Sequence, residues 1–284
     1  TGFSAWDAGG GSVLVKTEDG LFLVEGPAGP SGESALVPPE AHRIRLHAPE
    51  SGAAYIAATP ALSFWNACGA LRDVGFCSST ASSFTNPSIS HAIESGAIRY
   101  VGKYSAPDYE ALTASSCPLA IESSMIFHAP EVREKLEALG IPVLVDRSSF
   151  EADPRGRLEW LILHGIISGH RAEAEAFFAA QLAAIEQSSA SAAEQASAHK
   201  PTLVFFYVNA KAQAVSRSDD GWFARMVELA GGECVPLGES GGVTITLPLE
   251  ALYAAASDAD CIVYNGAIDA PLSSLDALLA KSPL

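Results

Sequence analysis

One pattern occurs twice in this chain, and it restricts the possible folds more than any other feature. Residues 96 to 122, GAIRYVGKYSAPDYEALTASSCPLAIE, pass from a glycine-led apolar stretch through a loop to Glu110-Ala111-Leu112 at a helix start, then to a hydrophobic strand after Pro118. Residues 231 to 264, GGECVPLGESGGVTITLPLEALYAAASDADCIVY, repeat the order with Glu250-Ala251-Leu252 in the matching place. A unit present once in each half, with a long helical segment between, predicts two similar lobes flanking a ligand cleft.

The flanking segments agree with that plan. SVLVKT and LFLVEG around Glu18-Asp19-Gly20 predict an antiparallel hairpin, and the proline-rich stretch 27–41 a surface loop. Strand and helix then alternate: RIRLHAP, AAYIAAT, a helix opening at Pro60 behind the hydroxyl of Thr59, DVGFCSS, PLAIESS, the helix APEVREKLEALG, and IPVLVDRSS. Ser149 to Asp153 and Pro154 interrupt the pattern before a helix from about Arg157 to Ser168, which Gly169 can end.

A second helix starts at Arg171, with Ala174, Phe177, Phe178, Leu182 and Ile185 at helical spacing. Carried to Ser188 it would be about 27 Å long, a connector's length, and SSASAAEQASAHK extends it. Pro201 then precedes the strand TLVFFYVN, followed by the helix DGWFARMVELAGG, the second copy, CIVYN, and LSSLDALLAKSPL. The expected organisation is α/β. An N-terminal lobe with its hairpin spans 1–170, a connecting helix 171–199, and a C-terminal lobe 200–284, each lobe built on a central sheet.

Composition narrows the partners. At 284 residues and 48% apolar the chain suits two ordinary cores. The formal charge of −16 repels a phosphate backbone or an anionic lipid surface, so nucleic acid is excluded as an expected partner. No stretch approaches the roughly 20 uncharged apolar residues of a membrane span, and a start at Thr1 is expected of a processed or trimmed chain. Cys68, Cys77, Cys117, Cys234 and Cys261 lack CxxC spacing and are expected as free, buried thiols.

Catalytic motifs fail on context. Gly238-Glu239-Ser240-Gly241-Gly242 spells GxSxG, but VTITLPL after it is not helical and the last histidine is His199, so the acid and histidine cannot follow in order. The histidines at 42, 47, 91, 128, 164, 170 and 199 form no HExxH, and no metal site is expected. Gly9-Gly10-Gly11 and Gly102-Lys103 match neither nucleotide-binding fingerprint.

Over roughly residues 40 to 284 the chain resembles the substrate-binding proteins of ATP-binding-cassette importers for iron complexes and cobalamin, the class with a helical backbone between lobes. The stretch VGKYSAPDYEALTASSCPLAIESSMIFHAPEVREKLEALGIPVLVDRSSFEADPRGRLEWLILHGIISG looks like a branch found in bacterial iron-compound importers. FARMVELAGGECVPL and LEALYAAASDADCIVYNG are similar to the family's second lobe. The resemblance implies two α/β lobes joined by one helix, and a monomeric extracytoplasmic receptor, periplasmic or lipid-tethered. Such a receptor would bind a metal chelate (ferric siderophore, haem or corrinoid) without resident cofactor or covalent chemistry, and would deliver it to a permease dimer.

It also implies that Glu110 and Glu250, one per lobe, meet arginines on the permease; each would open a helix, where a carboxylate is favoured. Loops after strands supply the expected ligand contacts: Thr59, Thr80, Tyr104, Met125 and Arg147 on the first lobe, and Tyr207, Asn209, Lys211, Trp222 and Asn265 on the second. Tyr104 and Trp222 could lie flat on a macrocycle or catecholate, and Arg147 and Lys211 could neutralise an anionic chelate. Two departures stand out. Asp153 occupies a position where the branch often has histidine, and the family usually continues past AKSPL with a strand and a helix. The rival reading is a metal-cluster enzyme on a related two-lobed scaffold, which would need cysteines converging on the cleft; a third is a signalling or adhesion module that keeps the fold without transport.

Overall fold

A computed structural model describes residues 2–26, 28–30, 37–46, 52–194, 199–218, 221–238, 244–266 and 274–281. The chain divides into two compact units, Thr1–Glu151 with Arg155–Gln181, and Ala152–Pro154 with Leu182–Leu284.

The N-terminal unit begins with the expected hairpin, preceded by a further strand. β1 (Phe3–Gly9), β2 (Ser12–Thr17) and β3 (Gly20–Val24) run antiparallel in turn, and β4 (His42–Ile44) pairs parallel with β3. The second sheet is built from β5 (Ala54–Ile56), α1 (Thr59–Ala67), β6 (Val74–Cys77), α2 (Pro87–Glu94), β7 (Arg99–Tyr100), α3 (Tyr109–Ala114), β8 (Ala120–Ser123), α4 (Pro130–Ala138) and β9 (Val143–Asp146). Its five strands are all parallel in the order β7-β6-β5-β8-β9.

Short, nearly continuous apolar runs such as VLV form strands here because both sheet faces are covered. Ile56, Cys77, Ile121 and Leu144 point into one core with Phe22, Ile44, Trp65, Ile89, Trp160 and Leu161. Their neighbours Tyr55, Phe76, Ala120, Val143 and Val145 alternate to the other face and meet Leu112, Val132 and Leu136 of α3 and α4.

Helix starts depart from the sequence reading in three places. Thr59 is the first residue of α1 and supplies no cap; Ala58 precedes it and no side chain caps that end. α2 was not anticipated although Asn86-Pro87 signals it: Asn86 Oδ1 accepts from the Ser88 and Ile89 amides at 2.9 and 3.4 Å. α5 (Pro154–Ser168) starts at the proline read as an interruption, because the first turn of a helix needs no N–H there.

Gly169, with φ of 74°, closes α5, and α6 (Arg171–Glu194) follows. A Cβ on Gly165 would lie 2.3 Å from that of Ala174, so glycine is what permits these two helices to touch. Along α6, Ala174 is buried and Phe178, Leu182 and Ile185 are half-buried, while Phe177 falls off the stripe and is exposed.

The C-terminal unit contains β10 (Thr202–Val208), β11 (Gln213–Arg217), α7 (Trp222–Leu229), β12 (Glu233–Cys234), β13 (Thr244–Pro248), α8 (Leu249–Ala256), β14 (Cys261–Tyr264) and α9 (Leu275–Lys281). β12 and β14 lie parallel to β10, whereas β11 folds back antiparallel to it and β13 antiparallel to β11. The sheet is therefore mixed. The strand, helix, strand order of the repeat survives, but the second copy inserts β13 immediately before its helix. Val204, Ala214, Ile245, Leu247, Leu252 and Ala256 form its core.

Candidate functional site

In the N-terminal unit the parallel sheet gathers the expected residues at one edge. Thr59, Thr80, Tyr104, Met125 and Arg147 each follow, within four residues, the carboxyl end of β5, β6, β7, β8 and β9 respectively. Because all five strands run the same way, these loops share one side of the sheet, where α/β folds place ligands. Thr59 and Thr80 are exposed, and Thr80 Oγ1 lies 3.0 Å from Ser82 Oγ. Tyr104 packs partly against the α3–α4 core, in a loop that turns at Gly102 with φ of 98° and passes 2.5 Å from where its Cβ would be. Met125 is exposed in a short 3-10 turn, Ser124–His128, after β8.

Arg147 is already engaged. Its Nε donates to Asp19 Oδ2 at 2.5 Å and a terminal nitrogen to Asp19 Oδ1 at 2.8 Å, while Glu18 Oε2 lies 3.1 Å from the other. The hydrogen bond that it donates to Asp19, foremost, raises the guanidinium's affinity for its proton. The tip of the β2–β3 hairpin thus reaches the loop after β9, a contact across 128 residues of sequence.

Beneath Arg147 a buried polar chain fixes the end of β9. Trp65 Nε1 can only donate, so His164 Nδ1 must accept at 3.1 Å, which leaves Nε2–H to donate to Asp146 Oδ2 at 2.8 Å. Asp146 Oδ1 also accepts from the Ser148 amide and hydroxyl at 2.9 and 2.6 Å. Burial pushes the Asp146 carboxyl up, but the His164 and Ser148 hydrogen bonds outweigh that and hold it below the usual range. The network therefore positions Arg147 and Ser148 from behind, tying β9 to α1 and α5.

In the C-terminal unit the expected residues are more dispersed. Asn209 follows β10 and Asn265 follows the parallel β14, and the Asn265 amide donates to Phe206 O at 2.8 Å. Asn209 Oδ1 is occupied by the Lys211 and Gln213 amides at 2.8 and 3.1 Å, shaping the β10–β11 turn on which Lys211 is exposed. Tyr207 is half-buried within β10. Trp222 opens α7, its ring 6.0 Å from Phe223, which lies 4.4 Å from Phe205.

Glu110 and Glu250 are the second residues of α3 and α8, and both are exposed. The Asp108 carboxylate caps α3 through the Ala111 amide at 2.9 Å; α8 has no side-chain cap. In the GxSxG stretch, residues 239–243 lie outside the described residues, and the chain resumes as β13 rather than as the helix a nucleophile elbow requires.

All five cysteines are free; Cys68, Cys77 and Cys117 are buried while Cys261 is exposed, against the expectation that all are interior. Burial pushes the Cys68 and Cys117 thiols up to about 11, which disfavours the thiolate a cluster ligand needs. Among the described residues no group of three or more His, Cys, Asp or Glu could hold a metal ion, and no helix is long and apolar enough to cross a membrane. Sequence reasoning missed Phe127 and Phe150, which sit in the loops after β8 and β9 and bracket Arg147 at 5.1 and 5.8 Å from its guanidinium carbon. Their position after strands was a signal available in the sequence; the pairing of Arg147 with Asp19 was not.

Against known proteins, the fold is similar to that of solved periplasmic binding proteins. The chain is similar to the periplasmic haem-binding protein HutB of Vibrio cholerae, with 17% identity over 81% of this chain and 83% of that one, at a TM-score of 0.63. A periplasmic binding protein from Veillonella parvula aligns at 0.61 with 15% identity, covering 82% and 77%. The haem-binding protein RhuT from Roseiflexus sp. aligns at 0.59 with 18% identity, covering 81% and 82%. No family model matches the sequence, and no curated protein matches it.

Proposed function

We propose that this protein is an extracytoplasmic receptor that captures a metal chelate and hands it unaltered to an ATP-binding-cassette permease. The observation that carries this reading is the row of five side chains after five parallel strands, on a fold shared with periplasmic binding proteins. Two of the similar structures are of haem-binding proteins, which supports an iron-containing, flat or bulky cargo such as haem or a ferric siderophore, with a corrinoid as the further member of that class. Glu110 and Glu250, exposed in the first turns of α3 and α8, suit contact with cationic side chains of the permease subunits.

Thermal unfolding with haemin, a ferric catecholate, a ferric hydroxamate and cobalamin tests the cargo. A ligand at 100 times its Kd adds about 2.7 kcal/mol of stability, and no shift with any of the four would sink the proposal. Docking is tested separately: the E110A/E250A double variant should bind its chelate with wild-type affinity yet lose uptake in cells, and retained uptake would remove the two glutamates from the interface.

A further inference from the structure

The carboxyl edge of the N-terminal sheet pairs one cation with two anions and three exposed apolar side chains. Arg147 uses three of its donor groups on Asp19 and Glu18. Arg133 also reaches the hairpin tip, donating to Asp19 O at 3.2 Å, but it is paired with Glu137 at 2.9 Å, so Arg147 against Asp19 and Glu18 leaves this spot with one net negative charge. The guanidinium carbon lies 5.1 Å from the Phe127 ring centroid and 5.8 Å from that of Phe150, a distance at which a cation steadies an aromatic face. Phe127 and Phe150 are nevertheless 44% and 61% exposed, and Met125, in the same 3-10 turn as Phe127, is 47% exposed. Arg147, held by the hairpin tip, lies against both rings.

We propose that Arg147 is a positioning residue rather than an anion clamp, that Phe127, Phe150 and Met125 form the contact face for a flat, uncharged part of the cargo, and that Asp19 with Glu18 makes this subsite discriminate against cargo anions. This deepens the chelate-receptor reading and rests on it. An anionic group brought here meets an arginine whose charge is already more than cancelled, so Coulomb repulsion from the hairpin tip opposes it. A macrocycle face or a neutral chelate meets the two rings and the thioether without that cost.

Matched probes separate charge from shape: haemin against haemin dimethyl ester, and a trianionic ferric tris-catecholate against a neutral ferric tris-hydroxamate. Dissociation constants are measured by tryptophan fluorescence for the full-length chain. The wild type should favour the neutral member of whichever pair it binds. D19N should narrow that preference by roughly tenfold, as expected when one charge within a few ångströms is removed. E18Q, at a 72% exposed side chain, should narrow it less, with an unchanged melting temperature. F127A/F150A should weaken both members of the pair by about tenfold or more. An unchanged charged-to-neutral ratio in both D19N and E18Q overturns the charge assignment, and wild-type affinity in F127A/F150A overturns the contact face. If the wild type binds none of the four probes but does bind cobalamin, the receptor reading stands and this inference falls; if cobalamin fails as well, both fall.

Discussion

A buried aspartate–histidine pair in the N-terminal unit and an exposed one in the C-terminal unit share near-identical geometry, which conceals opposite energetics. His164 Nε2 lies 2.8 Å from Asp146 Oδ2 with side chains 0% and 3% exposed; His199 Nε2 lies 2.9 Å from Asp260 Oδ2 with side chains 68% and 43% exposed. Asp260 is held down to about 2, chiefly by the Thr202 amide and then by His199. Water can take over any of those bonds. Asp146 has no such substitute, because its other neighbours are Ser148 and the apolar core. A short polar contact therefore says little about stability until its solvent is known.

The largest predicted effect breaks this comparison directly. D146A strands the His164 ring N–H and the Ser148 amide and hydroxyl in the core and should cost about 1–3 kcal/mol for each buried donor left without an acceptor. D260A should lower the denaturant midpoint only slightly, since the Thr202 amide and His199 are open to water. Equal losses in chemical denaturation would mean that burial does not separate the pairs. Because the Asp146 carboxyl is held below its ordinary value, its contribution is fully present above the unfolded pKa of 3.8 and is lost as pH falls through the lower folded value.

A second carboxyl in the N-terminal unit works in the opposite sense. Glu122 on β8 is fully buried with neither oxygen hydrogen-bonded, and burial pushes it up to about 8. The folded chain then keeps a proton that the unfolded chain releases above 4.5, so stability falls as pH rises from 4.5 towards 8 and levels off beyond. The loss should be on the order of 3 kcal/mol by neutral pH, at 1.36 kcal/mol per pH unit. E122Q should abolish that slope in melts across the range. A slope that persists in the variant would place the responsible group elsewhere.

How far the sequence foretold these features depended on the range of the interaction. Four of the five parallel strands were legible because each is a compact apolar run bounded by turn residues, whereas β7, the exposed pair Arg99–Tyr100, carries no such signal. Helix starts misled by a few residues wherever a proline could read as either a break or a first turn, as at Pro154. The hairpin strand β11 and the inserted β13 went unread as strands of a mixed sheet, since short alternating segments do not declare their partners. Least legible were the side-chain networks: Trp65 meets His164 across 99 residues and Asp19 meets Arg147 across 128, and no local pattern encodes either. Arg147 read as a free cation because its partners lay in a turn that sequence marked only as a turn.

The smallest predicted effect sharpens the repeat itself. The helix carrying Glu110 is capped by Asp108, whereas the helix carrying Glu250 follows Pro248 with no side-chain cap. D108A removes the acceptor of the Ala111 amide and should cost about 1 kcal/mol. The loss falls in the first turn of α3, where Glu110 sits, so amide exchange at Ala111 should quicken before the rest of the unit responds. P248S supplies a hydroxyl at the matching place in the C-terminal copy and should move stability the other way, by at most about 1 kcal/mol. If Glu110 must be held in place to dock, D108A also reduces uptake while P248S leaves it intact. Equal uptake in both variants would show that any docking through Glu110 tolerates a frayed turn, and that the cap serves folding alone.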